Sequence, residues 1–435
     1  MLFAYANSFA QGDSSNNYPK TDEQKFNLHF QTTYIYQYKP PINAAYTGAH
    51  SFEAGEENHN SLTATIYFGA RLWKGAELYI NPEIAGGSGL SQAFGLGGST
   101  NGETFRVGDP SPTLYLARAY LKQTFAIGKN YTTQTDFQNQ LYASLPTKYL
   151  QLIIGKYCIG DFYDNNNYSN SPRTQFMNWA LMNNGAWDYA ANVRGYNYAV
   201  TAILQLNNIA FKSGLALLPT VANGPNLNEN IGDAYGINTE VVKNYTIKGQ
   251  SGNLRILGYY NSGSFGNYSE ALKHLDFDGK PDFIPTRNPS SHKLGFGINA
   301  DQQINESLGI FARAGWNDGK TETWCFTEVD QTFSTGFLLN GKKWKRQDDN
   351  FGGAILINGL SDDHKKFLAA GGLGFELGDG RLTAGTENVL ELFYNIKPFS
   401  KPVWITGDYQ FILNPGYNKD RGPANVFSLR AHIEF

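Results

Sequence analysis

Arginines and carboxylates recur at alternate positions within stretches of this sequence that are otherwise apolar at every second residue. In AELYINPEI, for example, Glu77 and Glu83 share one set of alternate positions, and Leu78 and Ile84 share the other. Planar guanidinium and carboxylate groups can hydrogen-bond to two hydroxyl groups at once, and aromatic rings offer an apolar face to a sugar ring. Repeated along a wall, such groups would suit the binding of neutral polyols.

The charged residues at these positions are candidate substrate contacts. They are Arg71, Glu77, Glu83, Arg118, Arg255, Arg313 and Arg430. Glu391 and Asp408 fall on equivalent positions. The alternative is that these residues line a water-filled surface and only neutralise one another's charge, without binding a particular ligand. The pattern leaves both interpretations open.

The stretches that would position these residues alternate strictly between apolar and polar side chains. In VFSLRAHIEF at the C-terminus, Phe427, Leu429 and Phe435 lie on one face, and Arg430 and His432 lie on the other. A period of two predicts β-strands with one apolar and one polar face. The predicted strands are 26–38, 61–73, 76–84, 113–125, 149–158, 195–207, 209–218, 235–246, 252–262, 292–303, 307–317, 324–336, 349–358, 387–396, 402–413 and 424–435. Most exceed the usual five or six residues and are long enough to cross a bilayer at a tilt.

Short and long connections alternate between these strands, as they do in outer-membrane barrels. The long polar segments are 39–59, 86–112, 159–194, 261–291, 359–386 and 414–423. The segment 126–148 breaks the pattern, because it is long where a tight turn is expected, and its role is open. The segment 361–380 could be an additional strand, but its acidic start and short helical pattern place it in an outer loop with a helical turn or two.

Together these features predict an all-β fold, a transmembrane antiparallel up-and-down β-barrel of about 16 strands with a short helix in a long loop. A soluble sandwich or propeller also hides one face of each strand. The barrel is favoured because the strands are too long for propeller blades and no blade-length repeat appears. An arginine facing lipid would cost about 2–4 kcal/mol, so the strand arginines should face the lumen.

The composition agrees with such a barrel. Aromatic residues make up 14% of the chain and charged residues only 17%, below the quarter that is usual in soluble domains. The formal net charge is −3 with acids and bases interspersed, which gives no sign of a nucleic-acid partner. The cysteines, Cys158 and Cys325, are too few for a disulfide framework, and we expect them not to pair.

The N-terminus is set apart from the barrel. MLFAYANSFAQGDSS is weakly apolar, and the run SFA before Gln11 resembles a signal-peptide cleavage site. We interpret residues 1–25 as a signal-peptide remnant and flexible N-terminus, with a disordered tail as the alternative. Residues 26–435 then form the barrel domain.

One long segment, GDFYDNNNYSNSPRTQFMNWALMNNGAWDYA (160–190), carries a helical pattern within the strand series. Pro172 near its start and Gly185 as a stop signal predict a short helix over SPRTQFMNWALMNNG. Such a loop either folds into the pore or packs on the outer rim, and the sequence leaves both open. If it folds inward, the side chains that could line a constriction are Trp179, Trp187, Asp188 and Arg194.

Other kinds of site find little support. GGSGLSQAFGLGG (86–98) is not followed by a helix, which disfavours a phosphate cradle. DFYDNNN lacks the glycine and terminal glutamate of a calcium loop, and no Cys/His cluster indicates zinc. His29 and His432 lie on the first and last predicted strands, which pair when a barrel closes, but no active-site serine motif accompanies them. We therefore predict no catalytic residues, no metal and no cofactor.

Four stretches of the chain resemble one family of membrane proteins. They are SLTATIYFGARLWKGAELYINPE (61–83), DFYDNNNYSNSPRTQFMNWALMNNGAWDYA (161–190), FARAGWNDGKTETW (311–324) and ENVLELFY (387–394). The chain resembles the carbohydrate-selective porins of the OprB family from about Phe26 to Phe435. This resemblance implies a barrel in the outer membrane of a Gram-negative bacterium that passes mono- or disaccharides by facilitated diffusion. In that family arginines, acids and aromatics near an eyelet contact the sugar, and Arg71 and Arg118 sit on matching early strands.

Several functional hypotheses remain at this point. The leading one is a saccharide porin, and a general non-selective porin is its weaker form. A barrel whose outer loops dock a surface or secretion complex is the second, and an outer-membrane hydrolase is the third. The expected partners are saccharides and outer-membrane lipid, with a homotrimer by analogy to other barrels. We further expect the final Phe435 to sit at the periplasmic girdle and act in assembly.

Overall fold

The computed structural model describes residues 23–104 and 111–435, and most of its regular structure is β-strand. The barrel strands are β1 (Phe26–Lys39), β2 (Glu57–Trp73), β3 (Ala76–Gly87), β4 (Thr113–Ala126), β7 (Lys148–Tyr157), β8 (Asn197–Leu206), β9 (Ile209–Leu217), β10 (Tyr235–Ile247), β11 (Gln250–Phe265), β12 (Asn288–Gln303), β13 (Leu308–Asn317), β14 (Gln331–Gly341), β15 (Arg346–Gly359), β16 (Glu387–Ile396), β17 (Val403–Leu413) and β18 (Ala424–Glu434). Two short strands, β5 (Tyr131–Gln134) and β6 (Ala143–Pro146), form a separate sheet.

In the described residues, helical structure occurs only as short pieces between the strands. The α-helices are α1 (Trp179–Met182), α2 (Tyr268–Ala271) and α3 (Asp362–Ala369), and the 3-10 turns are Leu90–Ala93, Ile159–Asp161, Ile284–Thr286, Lys342–Trp344 and Pro415–Tyr417. No helix in the described part of the chain is long and apolar enough to cross a membrane. The predicted signal-peptide remnant falls almost entirely on residues 1–22, which lie outside the described residues.

The barrel closes because its last strand pairs with its first. Strands β1 and β18 are antiparallel, with Thr33 opposite His432 and Tyr36 opposite Leu429. All 16 barrel strands pair with both neighbours, so the sheet has no edge. A closed sheet satisfies every strand's backbone groups internally, which is the condition for crossing lipid with strands. The predicted antiparallel barrel of about 16 strands is therefore confirmed.

The two faces of each strand separate as the alternation predicts. On β18, Phe427 and Leu429 are 48% and 54% exposed on the outside of the barrel, whereas Arg430 and His432 are buried inside it. The predicted inward arginines also lie inside, since Arg255 and Arg313 are buried. Apolar side chains thus cover the outer wall, and polar side chains face the lumen.

The connections differ in length at the two rims. At one rim the turns are short, and they are 74–75, 207–208, 248–249, 304–307, 342–345 and 397–402. The exception is 127–147, which contains the β5–β6 hairpin and occupies the stretch whose role the sequence left open. At the other rim the loops are long, as in outer-membrane barrels. The segment 361–380 is confirmed as loop rather than strand, because it contains α3, whose N-cap Ser361 accepts a hydrogen bond from the His364 N–H.

One predicted strand is displaced. The predicted strand at 324–336 is observed at Gln331–Gly341, and residues before Gln331 lie in a loop. Trp324 and Phe326 in that loop are each only 4% exposed. Their alternation with polar residues reflects packing inside the barrel rather than one face in lipid. A period of two cannot distinguish these two environments.

The predicted helix within 160–190 is also shorter than expected. The α-helix covers only Trp179–Met182, with Asn178 as its N-cap. Pro172 and the residues after it form turns instead, and the carbonyl oxygen of Pro172 is hydrogen-bonded to Arg430 at 2.7 Å. A carbonyl oxygen that would accept a hydrogen bond within a longer helix is thus bonded to a side chain of the barrel wall instead.

Candidate functional site

The loop between β7 and β8, residues 158–196, crosses the interior of the barrel and is called the pore loop here. Its Arg173 lies 3.0 Å from Glu83 on β3. Its Asn166 donates a hydrogen bond to Asn299 on β12 at 2.7 Å, and β12 is seven strands away from β3 in the barrel. A loop that touches nearly opposite walls must lie in the lumen. Of the two placements that the sequence allowed, the inward one is therefore correct.

Two of the predicted lumen arginines fasten the pore loop to the wall. Arg313 donates to the carbonyl oxygens of Leu181 at 2.7 Å and Ser169 at 2.6 Å. Arg430 donates to the carbonyl oxygens of Pro172 and Gln175. Both side chains are almost fully buried. A guanidinium carries five donors in a rigid plane, which allows one side chain to hold several loop carbonyls.

The predicted constriction residues Trp179 and Trp187 pack within the filled part of the lumen. Trp179 stacks on Phe326, with ring centroids 5.9 Å apart. Trp187 is fully buried, and its indole N–H donates to Asn238 on β10 at 2.9 Å. These contacts join the pore loop to a neighbouring loop and to the wall.

Asp188 links the pore loop to the loop at 318–330. Its carboxylate accepts the backbone N–H groups of Trp324 at 2.9 Å, Cys325 at 2.7 Å and Phe326 at 3.1 Å. The side chain is buried, so these donors replace water around the charge. Burial raises the pKa of the Cys325 thiol. Cys158 and Cys325 are both free thiols in this structure.

A compact set of charged residues lies beside the pore loop on the β2–β4 wall. We call Glu83, Glu103, Arg118, Asp161 and Arg173 the charge group. Arg118 and Asp161 form a two-point ion pair with both distances at 2.7 Å. Arg173 bonds to Glu103 at 2.7 Å and to Glu83 at 3.0 Å. Parts of Arg118, Asp161 and Arg173 remain exposed, at 14%, 27% and 14% of their side chains.

The Arg173 guanidinium stays charged in this setting. Burial alone would lower its pKa, but the carboxylates of Glu103 and Glu83 and the Tyr67 hydroxyl oppose this effect, and the pKa ends well above its ordinary value. Opposite charges at hydrogen-bond distance stabilise the ionised forms of both partners.

Tyrosines complete the charge group. The hydroxyls of Tyr115 and Tyr196 both donate to Glu83, the second at 2.9 Å. The Arg118 guanidinium lies 5.2 Å from the Tyr196 ring centroid, and the guanidinium of Arg194 lies 4.2 Å from the Tyr115 ring centroid. Cation–π contact at these distances orients the arginines along the ring faces. The wall therefore presents planar donors, acceptors and aromatic faces side by side.

The remaining predicted contacts lie elsewhere on the wall. Arg71 and Glu77 lie 3.2 Å apart near the short-turn rim. Arg255 on β11 pairs with Asp301 on β12 at 2.6 Å. The structure thus brings Glu83, Arg118 and Arg194 together and separates them from the other predicted residues.

Three members of the charge group were missed by the sequence interpretation, namely Glu103, Asp161 and Arg173. All three come from loops, where no periodic pattern marks which side chains face the lumen. The only available signal for Asp161 and Arg173 was their position in the loop that carries the helical pattern.

In the described residues, the histidines are not arranged as a catalytic or metal site would require. His432 lies 2.8 Å from the hydroxyl of Thr33, but that threonine is only 1% exposed. His29 bonds to Asp136 and to the carbonyl oxygen of Phe435. Within residues 23–104 and 111–435, no three His, Cys, Asp or Glu side chains are grouped to hold a metal ion.

Solved structures of outer-membrane channels share the fold. The high-pH structure of OprB from Pseudomonas putida is 17% identical to this chain, covers 94% of both chains and has a TM-score of 0.71. The outer-membrane channel DcaP of Acinetobacter baumannii is 11% identical, with a TM-score of 0.50 over 94% of this chain and 97% of that one. None of the curated proteins compared with the chain matches it.

The sequence itself carries the family assignment. The family described as carbohydrate-selective porin, OprB family, matches residues 61–435. This range begins within β2 and includes the pore loop and the rest of the barrel. The fold and the match together indicate a channel rather than an enzyme. The chain accordingly belongs to the OprB family of carbohydrate-selective porins and is an outer-membrane porin.

Proposed function

We propose that this porin passes neutral mono- and disaccharides by facilitated diffusion, and that the charge group is where the sugar is contacted. The supporting observation is the pairing of its charges next to tyrosine rings. Arg118 is matched by Asp161, and Arg173 is shared between Glu83 and Glu103. A wall with paired charges offers many donors and acceptors without a strong field of either sign, which suits a neutral polyol better than an ion.

Within this proposal Arg118 and Asp161 are the principal sugar contacts, because Asp161 has the most exposed side chain of the group, at 27%, and Arg118 is bonded to it at two points. The Tyr196 ring lies under Arg118 and holds the guanidinium, which is 5.2 Å from the ring centroid. Glu83 accepts from two tyrosines and orients them. Binding at such a site should be weak enough to allow release, because conduction needs both entry and exit.

The other predicted contacts take supporting roles in the same proposal. Each forms hydrogen bonds that hold the pore loop or the wall around it in place. These residues are Trp179, Trp187, Asp188, Arg255, Arg313 and Arg430. Their effect on sugar transport is then indirect, through the position of the pore loop.

Liposome swelling tests the proposal. Vesicles containing the purified porin are diluted into isotonic glucose, a disaccharide, or an amino acid of matched size. Faster entry of the sugars than of the amino acid supports selectivity, whereas equal rates reduce the protein to a general porin. A barrel that conducts nothing and co-purifies with a partner favours the docking hypothesis instead.

Current recordings provide a second test. Sugar added to a single channel in KCl should reduce the current in proportion to its occupancy of the pore. The Arg118→Gln variant should need roughly tenfold more sugar for the same reduction, the value of one charge-assisted hydrogen bond.

The cellular setting is part of the proposal. We infer residence in the outer membrane of a Gram-negative bacterium, with saccharides and outer-membrane lipid as partners. A homotrimer stays a prediction, and the mass of the detergent-solubilised protein by light scattering checks it.

A further inference from the structure

The long turn at 127–147, which we call the turn hairpin, folds back across the mouth of the barrel. Asn27 on β1 donates to Asp136 at 2.7 Å and to the carbonyl oxygens of Phe137 and Gln140 at 3.1 and 2.9 Å. These bonds tie the hairpin to the first strand although it emerges from β4. The hairpin therefore covers part of the lumen at the short-turn rim.

Further contacts fix the inner side of the turn hairpin against the wall. Gln138 donates to Gln31 on β1 at 3.2 Å. The backbone N–H of Leu141 donates to the hydroxyl of Tyr79 on β3 at 3.3 Å, and Leu141 is fully buried. The hairpin thus forms a roof over the lumen face of β1–β3.

A second set of charges lies beneath this roof. We call Arg71, Glu77, Tyr79 and Lys122 the exit group. Lys122 lies 2.6 Å from Glu77 and 3.3 Å from the Tyr79 hydroxyl, which itself donates to Glu77 at 2.7 Å. Arg71 lies 3.2 Å from Glu77. The side chains of Lys122 and Arg71 are 11% and 12% exposed, so a small part of each side chain is accessible to solvent.

The exit group repeats the chemistry of the charge group on the same pair of strands. In each, a tyrosine hydroxyl donates to a carboxylate of β3, Glu83 in one and Glu77 in the other. In each, a cation of β4 lies close to a tyrosine ring, at 5.2 Å for Arg118 and 5.0 Å for Lys122. Lys122 lies four positions after Arg118, which is about 13 Å along a strand.

An unsatisfied amide lies between the two groups. Asn81 is on β3 between Tyr79 and Glu83, faces the lumen and is 0% exposed. Neither its amide nitrogen nor its amide oxygen has a hydrogen-bond partner among residues 23–104 and 111–435. Buried amides are nearly always paired, so a donor and an acceptor are available midway along the path.

We propose that the exit group, roofed by the turn hairpin, is a second saccharide site, at which a sugar that has left the charge group is held before release. Its ligand is the same class of neutral sugar, bound through a pair of adjacent hydroxyls that bridge Lys122 and Glu77. Asn81 offers hydrogen bonds to the sugar as it moves between the two sites. This inference rests on the proposed function, because it assumes that neutral sugars enter the pore.

Single-channel recording with sugar added to one side at a time tests the second site. Glucose or sucrose is added in KCl to the side of the turn hairpin or to the side of the long loops, and the association rate is taken from the current noise. The test variant is Glu77→Gln/Lys122→Met, which removes both charges together. The matched control is Glu306→Gln/Lys342→Met, an exposed ion pair at the same rim.

The expected result is a roughly tenfold lower association rate from the hairpin side in the test variant, because sugar that enters at that mouth meets the exit group first; association rates among variants of one binding site span about one to three decades. Entry from the long-loop side should change much less, and the control should match the wild type. An unchanged rate from the hairpin side in a folded test variant overturns the second site.

A milder variant keeps the test informative if the double variant does not fold. Tyr79→Phe retains the ring and removes only the hydroxyl that joins Glu77, Lys122 and the turn hairpin. It should also lower the rate from the hairpin side, and an unchanged rate would refute the site. If the wild type is blocked only from the long-loop side, the second site fails and the proposed function stands. Block from neither side would refute both.

Discussion

Arg118 and Asp161 meet at two points, with Nε and Nη2 of the arginine each 2.7 Å from a carboxylate oxygen. The arginine belongs to β4, and the aspartate ends the 3-10 turn Ile159–Asp161 at the start of the pore loop. This pair therefore joins the wall to the loop at the point where both side chains are still partly exposed. We therefore expect Arg118 and Asp161 to influence which solutes pass through the pore.

Asp161→Asn should make the pore more anion-selective and weaken sugar block. The substitution keeps the shape of the side chain but leaves Arg118 without its negative partner, so the charge group loses its excess of negative charge and its carboxylates and guanidiniums become equal in number. The reversal potential in a KCl gradient measures the change. Asp362→Asn on α3, where the side chain is 86% exposed, is the matched control and should leave the potential unchanged. An unaltered potential in Asp161→Asn would contradict the assignment.

Arg313→Met should loosen the pore loop. The substitution removes the donors to Leu181 and Ser169 and leaves Asp164 without the guanidinium at 3.2 Å. Breaking a buried charged contact of this kind costs about 3–5 kcal/mol. We expect that loss in the free energy of unfolding, together with a larger and noisier conductance.

The control for this experiment is Arg381→Met. Arg381 is exposed and lies 4.0 Å from the ring centroid of Tyr46. Loss of an exposed cation–π contact costs about 0.5–1 kcal/mol, and conductance should stay the same. Equal effects of the two substitutions would mean that Arg313 does not hold the pore loop.

The outer loops should become less stable as the pH rises, because Glu328 then loses its proton. Burial raises the pKa of Glu328, although His364 and the backbone N–H groups of Glu376 and Leu377 oppose this effect. The native state therefore binds the proton more tightly than the unfolded state, whose glutamate has a pKa of about 4.3. The stabilisation is fully present below that value and is lost as the pH rises through the native pKa.

Glu328→Gln should remove this contribution. The charged groups that face Glu328 are His364, at 3.7 Å, Asp330 and Lys293. Asp330 has a lowered pKa, so its effect has the opposite sign and falls at lower pH. The free energy of unfolding is measured against pH for the wild type, Glu328→Gln and the exposed control Glu229→Gln. Identical slopes above about pH 4.3 in all three would exclude Glu328 as the cause.

Deletion of Phe435 should reduce insertion into the membrane more than it changes conductance. The residue exchanges backbone hydrogen bonds with Phe30 at 2.8 and 3.1 Å, and its side chain is 66% exposed on the outer wall. It thus extends the β1–β18 pairing that closes the barrel without reaching the lumen. The amount of folded porin in the membrane fraction and its single-channel current are compared with those of Phe435→Tyr. Normal membrane levels of the truncated chain would count against an assembly role.

The sequence alone determined the barrel and the direction of its side chains. Every second residue of a strand points to the same face, and lipid tolerates few charges on its side. Phe427 and Leu429 therefore had to face outward, and Arg313 and Arg430 inward, before any contact was known. The strand pattern wrongly included the stretch before Gln331, where Trp324 and Phe326 alternate with polar residues but pack inside the lumen, and it missed the short strands β5 and β6.

Only the tertiary structure decided what the inward residues do. Arg118 and Arg313 occupy equivalent positions in the pattern, yet one meets Asp161 at a partly exposed ion pair and the other is buried against loop carbonyls. The partners of Arg313 lie 132 and 144 residues away in the chain. Such contacts between residues far apart in the chain set the path of the pore loop. Because this path does not depend on a repeating local pattern, it cannot be predicted from the spacing of residues in the sequence.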